Sequence, residues 1–166
     1  AELAAQAAAG FTVGPADDPG SRLGPLVSQA QWNRVQDFIQ KGIDEGATLV
    51  TGGTGKPEGL ETGFYVKPTI FANVDNSMTI AQEEIFGPVL SVLVADNFDE
   101  ALELANRVEF GLSSSIFTKD LSRAFQFLEK TEVGLTHVNM MTAYREPQLS
   151  FGGVKSSGHG IPESGK

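Results

Sequence analysis

The chain has 166 residues, 40% hydrophobic and 20% charged, and its 12 basic and 21 acidic side chains leave a net charge of -9. That is the composition of an ordinary soluble domain with material for a core, and it lacks the clustered Lys and Arg that a nucleic-acid surface needs. No cysteine is present, which excludes a disulfide framework and a thiolate metal site.

Residues 1–9 read as the end of an Ala-rich helix stopped by Gly10. The stretch has no basic leader region and is too short and weakly apolar to span a membrane. It does not begin with Met, which fits a start inside a longer protein or a processed end. Residues 11–27 form a turn-rich connection through Gly14, Pro15, Asp17, Asp18, Pro19, Gly20, Gly24 and Pro25. Ser28 then caps a helix whose Trp32, Val35, Ile39 and Ile43 recur at helical spacing, and Gly46 closes it. Thr48–Thr51 is a short strand running into a flexible Gly-rich turn over 52–59. Phe64–Phe71 is β-prone, with Pro68 marking an edge or a bulge. The run Val89–Val94 predicts a buried strand.

Asn97 and Asp99 introduce a helix with Phe98, Ala101, Leu102 and Ala105, and Leu112–Thr118 is the next strand. Asp120 caps a helix whose apolar side is Leu121, Ala124, Phe125 and Leu128, and Gly134–Asn139 is a further strand. Strand and helix alternate from Val89 onward, so the expected fold is α/β: a mostly parallel sheet with flanking helices. From Met140 the chain is loop-like and ends in a Gly/Ser-rich stretch.

Several tempting motifs fail. Gly55-Lys56 has Val50 where a phosphate loop needs Gly, and Pro57 follows the Lys. Gly158-His159-Gly160 has Glu163 where a dinucleotide fingerprint needs its third Gly. His137 and His159 form no ligand pattern, so no metal site is expected. Ser113-Ser114-Ser115 lacks the nucleophile elbow of a hydrolase.

The segment Glu83-Glu84-Ile85-Phe86-Gly87-Pro88 admits two readings. It can be a plain strand entry, with Gly87 and Pro88 making the bend and Phe86 in the core. Alternatively, Glu84 accepts hydrogen bonds from a ribose diol, and Phe86, on the same side of an extended chain, lies against a flat ring.

This segment resembles the NAD(P)-dependent aldehyde dehydrogenase superfamily, and other stretches follow in that family's order. They are Gly24-Pro25-Leu26-Val27, Gly63–Ile70, Ala105-Asn106, Gly111–Asp120, Val138-Asn139 and Phe151-Gly152-Gly153. The resemblance spans essentially all of residues 1–166 and implies the C-terminal part of the catalytic domain. It implies that the Rossmann domain, the catalytic cysteine segment and the oligomerisation strand are missing.

It further implies that Glu84 holds the nicotinamide ribose of NAD or NADP and that Phe86 positions the nicotinamide. The family oxidises an aldehyde to a carboxylic acid through a cysteine thiohemiacetal and thioester, followed by Glu-activated hydrolysis. This chain holds neither that Cys nor that Glu, so by itself it is expected to be inactive. The alternatives are a non-catalytic folding or interaction module of the same ancestry and an unrelated α/β ligand-binding domain.

Phe151 matches the family's aromatic near the nucleophile or packs in a core, and Asn139 reads as holding loop backbone. Lys155 reads as solvated. The loop Met140–Gln148, with Tyr144 and Arg145, matches the variable substrate entrance. Arg145 could pair with a substrate carboxylate, be neutralised by Glu146, or stay in solvent. The loop resembles the semialdehyde branch, including 2-oxoglutarate semialdehyde dehydrogenases. The partners implied are a small aldehyde and further copies of the parent chain in a dimer or tetramer, in the cytoplasm, with no nucleic acid and no membrane. Glu163 is shifted by one from the family's Arg-Glu pair, and no role is assigned to it.

Overall fold

A computed structural model of the chain describes residues 1–145 and 150–158. The chain divides into two compact units, Ala1–Val94 and Ala95–Lys166.

The first unit contains α1 (Glu2–Ala9), α2 (Gln29–Asp44), β1 (Thr48–Thr51), β2 (Thr69–Ala72), α3 (Thr79–Gln82) and β3 (Val89–Ser91). The strands lie in the order β1-β2-β3, with β1 antiparallel and β3 parallel to β2. α2 starts where Ser28 Oγ accepts from Gln31 N at 3.2 Å, satisfying one of the helix's orphan donors. Its apolar stripe buries Val35 and Ile39 completely, against Phe71 of β2 and Ile80 of α3 in one cluster. Trp32 packs at the edge of that cluster and donates its indole N–H to Tyr65 O at 2.8 Å. Ile43, the last residue of the expected stripe, lies at the exposed end.

Pro68 sits immediately before β2, the central strand, and Thr69 N already donates to Pro88 O at 2.9 Å. The irregularity the proline suggested lies in β1, between Leu49 and Thr51. The turn after β1, expected to be flexible, is tied down. Gly53 N donates to Thr69 Oγ1, Gly55 N to Gln36 Oε1, and Lys67 Nζ to Thr54 O. Gly52 at φ +83 has no room for a side chain: a Cβ there would lie 2.3 Å from Pro68 O.

The Val89–Val94 run is not a buried strand. β3 covers only Val89–Ser91 at the sheet edge, and Leu90 and Val94 are 48% and 76% exposed. An apolar run signals burial on both faces only when both are packed, and here β3 has one neighbour. α3 was not foreseen, because its N-terminus is capped from far away. Glu45 accepts from Thr79 N at 2.7 Å and Thr79 Oγ1 at 2.6 Å.

The second unit contains α4 (Phe98–Asn106), β4 (Phe110–Gly111), β5 (Ser113–Ile116), α5 (Leu121–Lys130), β6 (Leu135–Val138) and β7 (Val154–Lys155). Asn97 and Asp120 cap α4 and α5 as expected, accepting from Glu100 N and Arg123 N. β5 and β6 run parallel across α5, from Ser113 opposite Leu135 to Ile116 opposite Val138. β4 pairs antiparallel with β7. The α/β class thus holds, with parallel ladders β2–β3 and β5–β6 and antiparallel ladders β1–β2 and β4–β7.

Two expectations change in this unit. α5 buries Ala124 and Phe127, while Leu121, Phe125 and Leu128 face outward. The helix packs on β6, and Phe127 rather than Phe125 falls on that side with Ala124. Lys155 is a tether rather than a solvated side chain. Its Nζ donates to Asn106 O at 2.7 Å and lies 2.8 Å from Glu132 Oε2. Asn139 does hold backbone, accepting from Thr118 N and donating to Thr118 O, both at 2.9 Å.

Candidate functional site

In the first unit the candidate residues lie on the loop between α3 and β3. Helix α3 ends at Gln82, and the chain is then fixed from both sides. Ile85 is buried in the core cluster. Gly87 lies so close to α2 that a Cβ on it would stand 2.7 Å from Val35 Cγ2. Side chains of α2 hold the loop carbonyls: Arg34 Nη2 donates to Glu84 O at 3.0 Å, and Gln31 Nε2 donates to Ile85 O and Phe86 O at 3.1 Å. Glu84 and Phe86 themselves point outward, with Phe86 72% exposed.

Phe86 does not pack in the core, so the plain strand-entry reading fails for it. The expected extended geometry fails too, because Phe86 adopts φ 58. A bulky residue in this left-handed region costs about 1–2 kcal/mol and persists only where its surroundings fix it. Ile85 and Gly87, each seated in the core or against α2, supply that fixation. The result is an apolar ring displayed outside the core on a loop that cannot relax. Gln31 and Arg34 escaped sequence reasoning because their partners are backbone carbonyls 50 to 55 residues away.

A hollow of about 380 Å³ opens nearby in the same unit, between α1 and strands β2 and β3. Ala4, Ala8, Phe11, Ile70 and Leu90 make it apolar. Gly87 and Pro88 belong to its wall, whereas Glu84 and Phe86 do not line it.

In the second unit a cavity of about 310 Å³ opens beside β6, lined by Leu135, Val138, Met140, Tyr144, Arg145 and Ser150 among others. The structure brings the three candidate substrate-pocket residues, Tyr144, Arg145 and Phe151, together here. Tyr144 and Arg145 line the cavity, and the Arg145 guanidinium stands 4.6 Å from the centroid of the Phe151 ring. That stacking holds the charge against an aromatic face. Phe151 is held in turn by its neighbours, since Gly152 O lies only 1.7 Å from where a Cβ on Gly134 would be. Glu146, Pro147, Gln148, His159 and Glu163 lie outside the described residues.

Among the described residues no group of His, Asp and Glu could hold a metal ion, and no helix is long and apolar enough to cross a membrane.

The aldehyde dehydrogenase family model matches residues 1–166. The chain is 50% identical over 148 residues to a Staphylococcus epidermidis protein whose name assigns it to the aldehyde dehydrogenases, covering 89% of this chain and 31% of that protein. It superposes with a TM-score of 0.89 on a variant of aldehyde dehydrogenase C from Pseudomonas syringae complexed with NAD+ and octanal. Identity there is 43%, over 95% of this chain and 32% of that one. A Mycobacterium tuberculosis aldehyde dehydrogenase complexed with NAD+ gives the same TM-score and identity, with 33% of its length covered. The chain therefore spans about a third of the length of these relatives. It belongs to the aldehyde dehydrogenase family.

Proposed function

We propose that these residues carry the nicotinamide-side contacts and the substrate entrance of an NAD(P)-dependent enzyme that oxidises an aldehyde to a carboxylic acid. The observation that carries the reading is Phe86: an exposed ring on a left-handed backbone, pinned by Gln31 and by the burial of Ile85. A fold gains nothing from such an arrangement, whereas a site that must present a flat surface gains rigidity. The residues fit the cofactor by type, since an exposed carboxylate accepts from two hydroxyls and an exposed ring offers an apolar face to a planar heterocycle. NAD(P)+ supplies a hydride acceptor when bound. The chain's own part is to orient: Glu84 holds the ribose, Phe86 limits where the ring can lie, and Arg34 and Gln31 keep both in place.

The chemistry of the entrance supports a carboxylate-bearing aldehyde, such as 2-oxoglutarate semialdehyde, with Arg145 as its anchor above Phe151. A simple aliphatic aldehyde is the second reading, favoured by the apolar Leu135, Val138 and Met140 in the same cavity. The nucleophile comes from polypeptide outside this cysteine-free sequence. Homo-oligomeric assembly and a cytoplasmic location belong to the same reading.

The test uses the full-length parent enzyme in single-turnover assays at 340 nm. Glu84→Gln should slow reduced-cofactor formation about tenfold, since a neutral amide accepts less strongly than a carboxylate. Phe86→Ala should slow it by up to about a hundredfold through misplacement of the reacting ring. The 166-residue chain alone should give no aldehyde-dependent rise. Unchanged rates in both variants would remove the assignment, and a sustained rise from the chain alone would remove the claim about the nucleophile.

A further inference from the structure

We propose that Ser113, Ser115 and His137 form a clasp that positions the loop bearing Tyr144 and Arg145, making them positioning residues for substrate selection; this rests on the reading of that loop as the substrate entrance. Three carbonyls of the loop, at alternate positions, are each engaged by a side chain of the β5–β6 pair. Met140 O accepts from Ser115 Oγ at 2.5 Å and Thr142 O from Ser113 Oγ at 2.9 Å. Tyr144 O lies 3.1 Å from His137 Nε2.

The match has a geometric cause. Ser113 and Ser115 are two apart on a strand and so project from one face, at the spacing of carbonyls two residues apart in the loop. His137 stands opposite Ser115 in the parallel register and reaches the third carbonyl. Tyr144 O is the last of these anchors, and it immediately precedes Arg145, whose guanidinium stacks on Phe151. The clasp therefore sets where the Arg145 guanidinium is presented at the cavity wall.

His137 adds a dependence on pH. Its Nδ1 lies 3.2 Å from Ser114 O, so both ring nitrogens face carbonyl oxygens, which only accept. A neutral imidazole has one N–H and can serve one of these carbonyls, whereas an imidazolium serves both. The clasp is then complete with the proton bound and loses one contact without it.

Among the described residues, the ionisable groups of the loop that share this cavity with His137 are the Tyr144 phenol and the Arg145 guanidinium. β5 offers only Ser113–Ile116, and the rest of β6 is Leu135, Thr136 and Val138. On α5, which packs against β6, Arg123, Glu129 and Lys130 are exposed while Ala124 and Phe127 face inward.

Two measurements test the clasp. In the 166-residue chain carrying His159→Gln, NMR follows the His137 ring nitrogens and the Tyr144 and Arg145 amides between about pH 5 and 8.5. The amides should move with the His137 ring, and His137→Gln, which keeps an N–H donor without a titration, should flatten their response. Amides that ignore the ring, or that respond equally in His137→Gln, overturn the clasp. In the parent enzyme, with succinic semialdehyde and hexanal as probes, Ser113→Ala with Ser115→Ala should raise KM for the semialdehyde about tenfold, with kcat within about twofold. His137→Gln should give a KM that no longer varies with pH. An intact NMR response with KM unchanged for both aldehydes leaves the clasp standing and overturns the entrance reading beneath it.

Discussion

Phe71→Ala is expected to lower the stability of the first unit by about 3–5 kcal/mol, the range for deleting a fully buried aromatic. Phe71 is 0% exposed and stands at the centre of the three-stranded sheet, in one cluster with Val35 and Ile39 of α2 and Ile80 of α3. The site is too tight to collapse around a void. Gly42 on α2 already leaves the space its side chain would take, with Phe71 Cζ 3.2 Å from the position of a Cβ there. The same cluster contains Ile85, so the cost extends to the loop that displays Glu84 and Phe86. Urea unfolding followed by Trp32, the one tryptophan, reports on this unit. A loss below about 1 kcal/mol would show that the cluster repacks and that its anchoring of the loop is weaker than described.

Gly134→Ala is expected to cost about 3 kcal/mol or more, beyond the usual range of a one-methyl change. The added Cβ would stand 1.7 Å from Gly152 O and 2.7 Å from Gly152 C. Both are backbone atoms, so no rotamer change relieves the overlap. The 151–153 segment must move away from the start of β6, carrying Phe151 from beneath Arg145 and loosening β7 beyond it. Amide hydrogen exchange is the readout: protection at Val154 and at Leu135–Val138 should fall while that of β2 stays. Native protection throughout the second unit would contradict the close approach on which the Phe151–Arg145 pair depends.

Much of the fold was written locally. Ser28, Asn97 and Asp120 each carry the side-chain oxygen that a helix N-terminus needs, and each caps its helix. Val35 and Ile39 revealed the buried side of α2 by spacing alone. What was not legible depends on partners distant in sequence. Glu45 caps α3 across 34 residues, and Lys155 joins Asn106 and Glu132. The apolar residues of α5 admitted two faces, and only the position of β6 selects the one with Phe127. The two-residue β4–β7 ladder is too short to carry an alternating pattern.

The candidate site divides the same way. Glu84, Phe86, Tyr144, Arg145 and Phe151 were recognisable by residue type and order. The left-handed backbone at Phe86 was not, because nothing in a Glu-Ile-Phe-Gly-Pro string announces a positive φ on an aromatic residue. The hydroxyls of Ser113 and Ser115 were legible only as small polar residues in a strand, and their use against the loop carbonyls emerges from the β5–β6 register.

The most direct measurement is whether the ring at position 86 touches the nicotinamide. In the full-length parent with ring-labelled phenylalanine, magnetisation transfer from the nicotinamide protons of bound NAD+ should reach one phenylalanine signal that disappears in Phe86→Leu. Saturating cofactor with no transfer to that signal, and undiminished hydride transfer in Phe86→Leu, would contradict the account.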